Sequence, residues 1–242
     1  MPEIKNIEYL NAFDKFYNTT TTRFANNILA YCDNNKIKIG SILDLSCKTG
    51  TFLNVFQISK AKTFGSDISK DMISYAIGKH PKTTFKQTKS VGEFIYKNSF
   101  DIISCGFDYI NTFPNMLTMS KLFKIIYKHL SNKGLFIISM IAPKTLKNNS
   151  LNFTSSNYVD YLQEVVNISS TEANLKSTFY NNVDGYVLKS TNQSALYIYS
   201  PDDIVDEIKK SGFKNCSIVN SELFDNDRQE ENGRYYILAS KK

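Results

Sequence analysis

Ser41-Ile42-Leu43-Asp44-Leu45-Ser46-Cys47-Lys48-Thr49-Gly50 begins as an apolar run and breaks into small residues and a glycine. That pattern reads as a buried strand leaving its sheet through a tight turn into a helix. A second run, Thr63-Phe64-Gly65-Ser66-Asp67-Ile68-Ser69, places Asp67 seventeen residues beyond Gly50. In open sheets the carboxyl ends of the strands are where ligands bind, and an acid at the tip of the second strand can accept hydrogen bonds from ribose hydroxyls. The two stretches together predict a nucleoside-cofactor site.

Outward from this centre, the first forty residues read as helix. Phe24, Ile28, Leu29 and Tyr31 recur at helical spacing, and Asp33-Asn34-Asn35 breaks the pattern. Upstream, Tyr9, Phe13, Phe16 and Tyr17 form an aromatic stripe that suits core packing, with a substrate wall left open for Tyr17. Ser69 reads as the N-cap of a helix running to about Gly78, and Pro114 as the start of one carrying Met116, Leu122, Phe123, Ile126 and Leu130. Strand and helix alternate to about residue 140, which argues for a parallel sheet with helices on both faces. Residues 145–200 differ. Val165 to Ile168, Ser177 to Tyr180, Tyr186 to Lys189 and Ala195 to Tyr199 read as short strands of a β-rich cap inserted in a single domain, 1–242, whose first 38 residues are helical. Ser200-Pro201-Asp202-Asp203 reads as a capped helix start and Gly212 as its stop.

Composition narrows the class. The chain has 242 residues, enough for one large α/β domain, and 42% of them are hydrophobic. No apolar run reaches the ~18 residues that span a bilayer, and Met1-Pro2-Glu3-Ile4-Lys5 lacks a signal-peptide pattern, so the expected compartment is the cytoplasm, with no membrane partner. Cys32, Cys47, Cys105 and Cys216 have no metal-ligand spacing and His80 and His129 are the two histidines, so no metal is expected. His129 suits a helix end rather than a base. The net charge of +6 comes from scattered lysines, and nucleic acid is not an expected partner.

Asp44-Leu45-Ser46-Cys47-Lys48-Thr49-Gly50 and Gly65-Ser66-Asp67-Ile68-Ser69-Lys70-Asp71-Met72-Ile73 resemble the first and second motifs of the class I S-adenosylmethionine-dependent methyltransferases. Later landmarks fall in the family's order: Phe100 to Cys105 resembles its fourth strand, Leu130 to Ile138 its fifth, and Lys214 to Val219 with Arg234 to Ser240 its closing antiparallel pair. The resemblance implies a doubly wound, mostly parallel seven-stranded α/β sheet with helices on both faces and a small antiparallel insertion. It also implies S-adenosylmethionine as cofactor and a small-molecule acceptor, of which an amine is one form.

The residues then take family roles. Asp44, Ser46, Cys47, Gly50, Asp67, Ile68, Met72, Lys89, Ser90 and Cys105 are the expected cofactor contacts, and Tyr17, Asp108 and Tyr109 the expected acceptor contacts. The segment from Cys105 to Asn111 lacks the Asn/Asp-Pro-Pro-aromatic motif of enzymes that methylate base or glutamine amines. Ser46 and Lys48 stand where the family has glycines, and Lys89 stands where it has an Asp facing adenine. Two readings follow: an active methyltransferase, or a methyltransferase fold retained as a binding or regulatory module. A homodimer is left open.

Overall fold

The strand expected at Ser41 lies in the interior of the main sheet. The computed structural model describes residues 3–146, 151–154, 159–183, 186–219 and 233–242. Along the chain run α1 (Glu3–Asn34), β1 (Ser41–Asp44), α2 (Thr51–Ile58), β2 (Lys62–Asp67), α3 (Lys70–Lys79), β3 (Thr84–Gln87), β4 (Phe100–Cys105), α4 (Met116–His129) and β5 (Leu130–Ile141). Then come β6 (Leu151–Thr154), β7 (Val159–Ile168), β8 (Glu172–Val183) and β9 (Tyr186–Tyr197), and finally α5 (Pro201–Lys210), β10 (Asn215–Val219) and β11 (Arg234–Ser240). The main sheet has the order β10-β11-β5-β4-β1-β2-β3, and β6 to β9 form a second, antiparallel sheet. β11 is antiparallel to both β5 and β10, while the strands from β5 to β3 are parallel.

Period-2 alternation decides which helices cover which face. Leu43, Ile103, Phe136 and Ile138 point to one side, where they meet Met119, Leu122, Phe123 and Ile126 of α4 and Ile204 and Ile208 of α5. Ile42, Ile102 and Ile137 point to the other, against Ala25, Ile28 and Cys32 of α1 and Leu53 and Phe56 of α2. Both faces are buried, which is why these strands read as nearly continuous apolar runs. Each fully buried Leu, Ile or Phe contributes about 1.5–3 kcal/mol.

Local signals hold with three corrections. Ser69 caps α3 by accepting the Met72 N–H at 3.3 Å. The helix expected from Pro114 begins two residues later, because Asn115 accepts the Thr118 N–H at 2.9 Å and so supplies the cap. Ser200 does sit at the N-cap of α5, but its side chain makes no capping bond; Pro201 and the acids Asp202 and Asp203 mark the start instead. The cap strands are long rather than short: β8 and β9 pair continuously from Glu172↔Tyr197 to Val183↔Tyr186. Asn, Ser and Lys recur along this ladder, and those residue types disguise a strand as a loop.

α1 ties the two sheets together. Its first half inserts Leu10 and Phe13 among Met72, Val159, Tyr161 and Phe179, so it touches both α3 and the cap. Polar pins add direction. Buried Asp14 accepts the Thr51 hydroxyl at 2.7 Å and pairs with Lys79, and the Tyr75 hydroxyl donates to Asn11 at 3.0 Å.

Candidate active site

The carboxyl ends of β1, β2 and β4 bring two carboxylates to one edge. Asp44 lies opposite Ser104 in the parallel ladder, and the Ser104 hydroxyl donates to it at 2.7 Å. Burial pushes the Asp44 carboxyl up to about 6; the bonds from Ser104 and from the Ser46 N–H hold it down, and the nearby Asp67 charge adds to the rise. Asp67 is itself buried. One of its oxygens accepts the Ser69 N–H at 2.9 Å and the other the Lys48 N–H at 3.1 Å. The Lys48 ammonium stands 3.7 Å from that second oxygen.

The glycine-poor turn keeps the backbone that glycines would give it. Lys48 has φ 48° and Gly50, the N-cap of α2, has φ 81°. A Cβ on Gly50 would lie 2.8 Å from the Phe85 ring and 2.9 Å from that of His80. Ser46 is buried, and Cys47 packs its thiol against Gly65, where burial raises its pKa well above the ordinary thiol range. These residues shape the turn through backbone and packing.

After β4 the chain is strained. Phe107 (φ 49°) and Asp108 (φ 59°) are consecutive left-handed residues with side chains, a conformation that persists only where the surroundings impose it. The constraint is visible. Arg234, the first residue of β11, reaches Asp108 with Nη2 at 2.6 Å from Oδ1 and Nη1 at 3.4 Å from Oδ2, and its Nε donates to the Ser139 hydroxyl of β5 at 2.9 Å. Asn111 adds a second tie, accepting the Ile141 N–H at 3.1 Å and donating to the Tyr197 carbonyl of β9 at 3.0 Å.

Two cavities meet at this loop. One, of about 860 Å³, runs from Lys48, Asp67, Ile68 and Met72 past Phe107 and Asp108 to the cap face. Gln163, Ser177, Ser190, Thr191, Asn192 and Ser194 give that face its hydroxyls and amides. The other, of about 510 Å³, lies between α1 and the ends of β1, β4, β5 and β11 and is lined by Asp44, Ser104, Ser139 and Arg23 among others. Tyr17, Phe107 and Arg234 line both. The Tyr17 ring lies edge-on to Phe107 with centroids 5.7 Å apart and 6.1 Å from Tyr161. Burial raises the Tyr17 phenol pKa, and its hydroxyl is paired with that of Tyr161.

Of the sequence-predicted residues, Asp44, Asp67, Ile68, Met72, Tyr17 and Asp108 line these two cavities. Ser46, Cys47 and Gly50 stand behind the lining. Cys105 is packed in the core between sheet and α4 because alternation turns Ser104, not Cys105, to the cavity. Tyr109 also faces the core, its hydroxyl accepting the Gly92 N–H at 3.0 Å. Lys89 and Ser90 are exposed and outside both linings; the Lys89 N–H is taken by Glu93. His129 ends α4 as expected, its Nδ1 2.8 Å from the Asn98 carbonyl. Among the described residues, no three His, Cys, Asp or Glu side chains gather as a metal site, and no helix is long and apolar enough to cross a membrane.

Arg234, Ser104, Ser139, Asn111 and the polar cap face were missed from sequence. One signal pointed to Arg234: arginine is scarce, at positions 23, 228 and 234 in a chain with 29 basic residues. An arginine kept against that bias is often one whose planar fork is needed.

The whole arrangement has parallels among solved structures. An S-adenosylmethionine-dependent methyltransferase from Clostridium acetobutylicum ATCC 824 superimposes with a TM-score of 0.78 at 19% identity, over 95% of this chain and 98% of that one. CalS10, an amino pentose methyltransferase from Micromonospora echinaspora, gives 0.71 at 14% identity over 93% and 92%. The sugar N-methyltransferase KedS8 from Streptoalloteichus sp ATCC 53650 gives 0.67 at 15% over 88% and 84%. At such identities the likeness is one of fold. The chain matches no curated protein sequence at a significant level. Residues 13–218, however, match the family described as Methyltransferase domain. That span runs from Phe13 on the cavity wall, through both acid-tipped strands and the cap, to β10, and the chain belongs to that family.

Proposed function

We propose that the protein transfers a methyl group from S-adenosylmethionine to an amine nitrogen of a small, hydroxyl-rich acceptor. The observation that carries this reading is the 860 Å³ cavity, which joins the Asp67 edge to the hydroxyl- and amide-bearing face of the cap without a break. CalS10, described as an amino pentose methyltransferase, and KedS8, described as a sugar N-methyltransferase, support it.

The residues at the edge suit the cofactor. The Asp67 carboxylate has lone pairs left for ribose hydroxyls, and half-exposed Ile68 beside Met72 offers an apolar surface to a base. Asp44, buried behind them, is an acid for an ammonium group. When bound, the cofactor brings both the electrophilic methyl and its leaving group, so the protein has to position an acceptor lone pair and exclude water.

Tyr17, Phe107 and Tyr161 form the apolar wall that excludes water. Arg234 holds Asp108 at the cavity through the shorter bond to Oδ1. Oδ2, held at 3.4 Å, is the oxygen left to accept an acceptor N–H and to take its proton as the nitrogen is alkylated. The cap face orients the rest of the acceptor through hydroxyl and amide hydrogen bonds.

The test is radiolabel transfer from methyl-tritiated S-adenosylmethionine to a panel of amino sugars, matched sugars without the amine, and simple alkylamines. Label in amino sugars alone supports the reading. Binding of cofactor with no transfer to any amine or hydroxyl compound would favour the retained-fold module, for which the Lys48 to Asp67 contact is the specific observation.

A further inference from the structure

Lys48 is the residue of the first-motif turn that its position does not explain. It carries a side chain at φ 48°, a left-handed conformation that favours glycine, and it turns that side chain inward over a carboxylate that is only 2% exposed. A lysine serving only solubility would extend into water. This ammonium instead stands 3.7 Å from Asp67, lines the larger cavity, and acts on the Asp44 carboxyl as well. It therefore offsets the two acids that the edge of the sheet presents.

We propose that Lys48 is a specificity-determining residue of the cofactor site: its charge beside Asp67 favours the demethylated nucleoside, whose sulfur is neutral, over the methyl donor, whose sulfur is cationic. The inference rests on the cofactor reading above. S-adenosylmethionine and S-adenosylhomocysteine share the amino-acid and nucleoside groups, so those contributions cancel in the ratio of their affinities. What remains is one positive charge on sulfur, attracted by Asp44 and Asp67 and repelled by Lys48. In a partly solvated site, one fixed charge several ångströms away changes such a ratio by about three- to tenfold.

Calorimetric titration of the full chain with each nucleoside in low salt tests this, using wild type, Lys48→Met and Lys48→Arg. Both substitutions keep a side chain at the left-handed position, so backbone strain is held constant. Wild type is expected to bind S-adenosylhomocysteine more tightly. Lys48→Met should shift the affinity ratio towards the methyl donor by about three- to tenfold, and Lys48→Arg should leave it within about twofold of wild type. An unchanged ratio in folded Lys48→Met, with both nucleosides bound, overturns the proposal and leaves the cofactor reading standing. Failure of folded wild type and Lys48→Met to bind either nucleoside overturns both.

Discussion

Arg234 holds Asp108 across 126 residues of sequence, with 2.6 Å between Nη2 and Oδ1, and joins the start of β11 to the strained loop after β4. The pair is only partly shielded, its side chains 27% and 22% exposed. Its worth to folding is therefore discounted to about 1 kcal/mol. Arg234→Met should lower Tm by about 2–4 °C. Under the proposed function, methyl transfer should fall more than stability suggests, by about tenfold or more, because Asp108 loses the tie that holds it at the cavity. Arg234→Lys restores charge without the fork and should be intermediate. Melting curves beside initial rates check both parts, and equal rates in all three proteins would remove Arg234 from the site.

Asp67 accepts two backbone N–H groups and faces Lys48. Asp67→Ala leaves those donors unpaired and removes the proposed acceptor for ribose. Nucleoside binding should weaken by about 100-fold, on the basis of 1.5–3 kcal/mol for a hydrogen bond to a charged group. Asp67→Asn should fall between. Calorimetry with S-adenosylhomocysteine measures this; affinity retained in the alanine variant would place the nucleoside elsewhere.

Asp44 carries its own pH signature. Its pKa of about 6 in the fold exceeds the ordinary carboxyl value, so between about pH 4 and 6 the native state binds more protons than the unfolded chain. The contribution of Asp44 to stability is thus greatest in acid and declines as pH rises through 6. Asp44→Asn removes this slope while keeping an acceptor for Ser104. The difference in Tm, variant minus wild type, should grow more positive from pH 5 to pH 8. A difference independent of pH would show that Asp44 does not titrate in this window.

Strain at Lys48 can be read without any ligand. Lys48→Ala and Lys48→Gly both lose the ammonium, but only glycine relieves φ 48°. The glycine variant should exceed the alanine variant by about 1 kcal/mol, or roughly 2–4 °C in Tm. Equal stabilities would mean that the turn relaxes once the side chain is gone.

The sequence by itself determined the elements and the chemistry at their ends. Local period and capping reveal β1, β2 and β4, and each of these is a run of neighbours in the chain, as are the acids Asp44 and Asp67 that tip two of them. The same locality exposed Ser69, the breaks after α1, and the change of pattern near residue 145. The seven-stranded sheet and its closing antiparallel pair came from family resemblance, since period carries no information about which strand lies beside which.

Only the tertiary structure decided which side chains share a space. Ser104 rather than Cys105 reaches the cavity because the register sets it opposite Asp44. Arg234 belongs to the site because β11 enters antiparallel beside β5, bringing the end of the chain back to a loop laid down near its middle. The cap strands read too short in the sequence because their Asn, Ser and Thr residues gain strand conformation only from pairing with partners across the sheet. Contacts between distant segments depend on the closure of the whole sheet, and no window of local sequence contains the free energy that makes them.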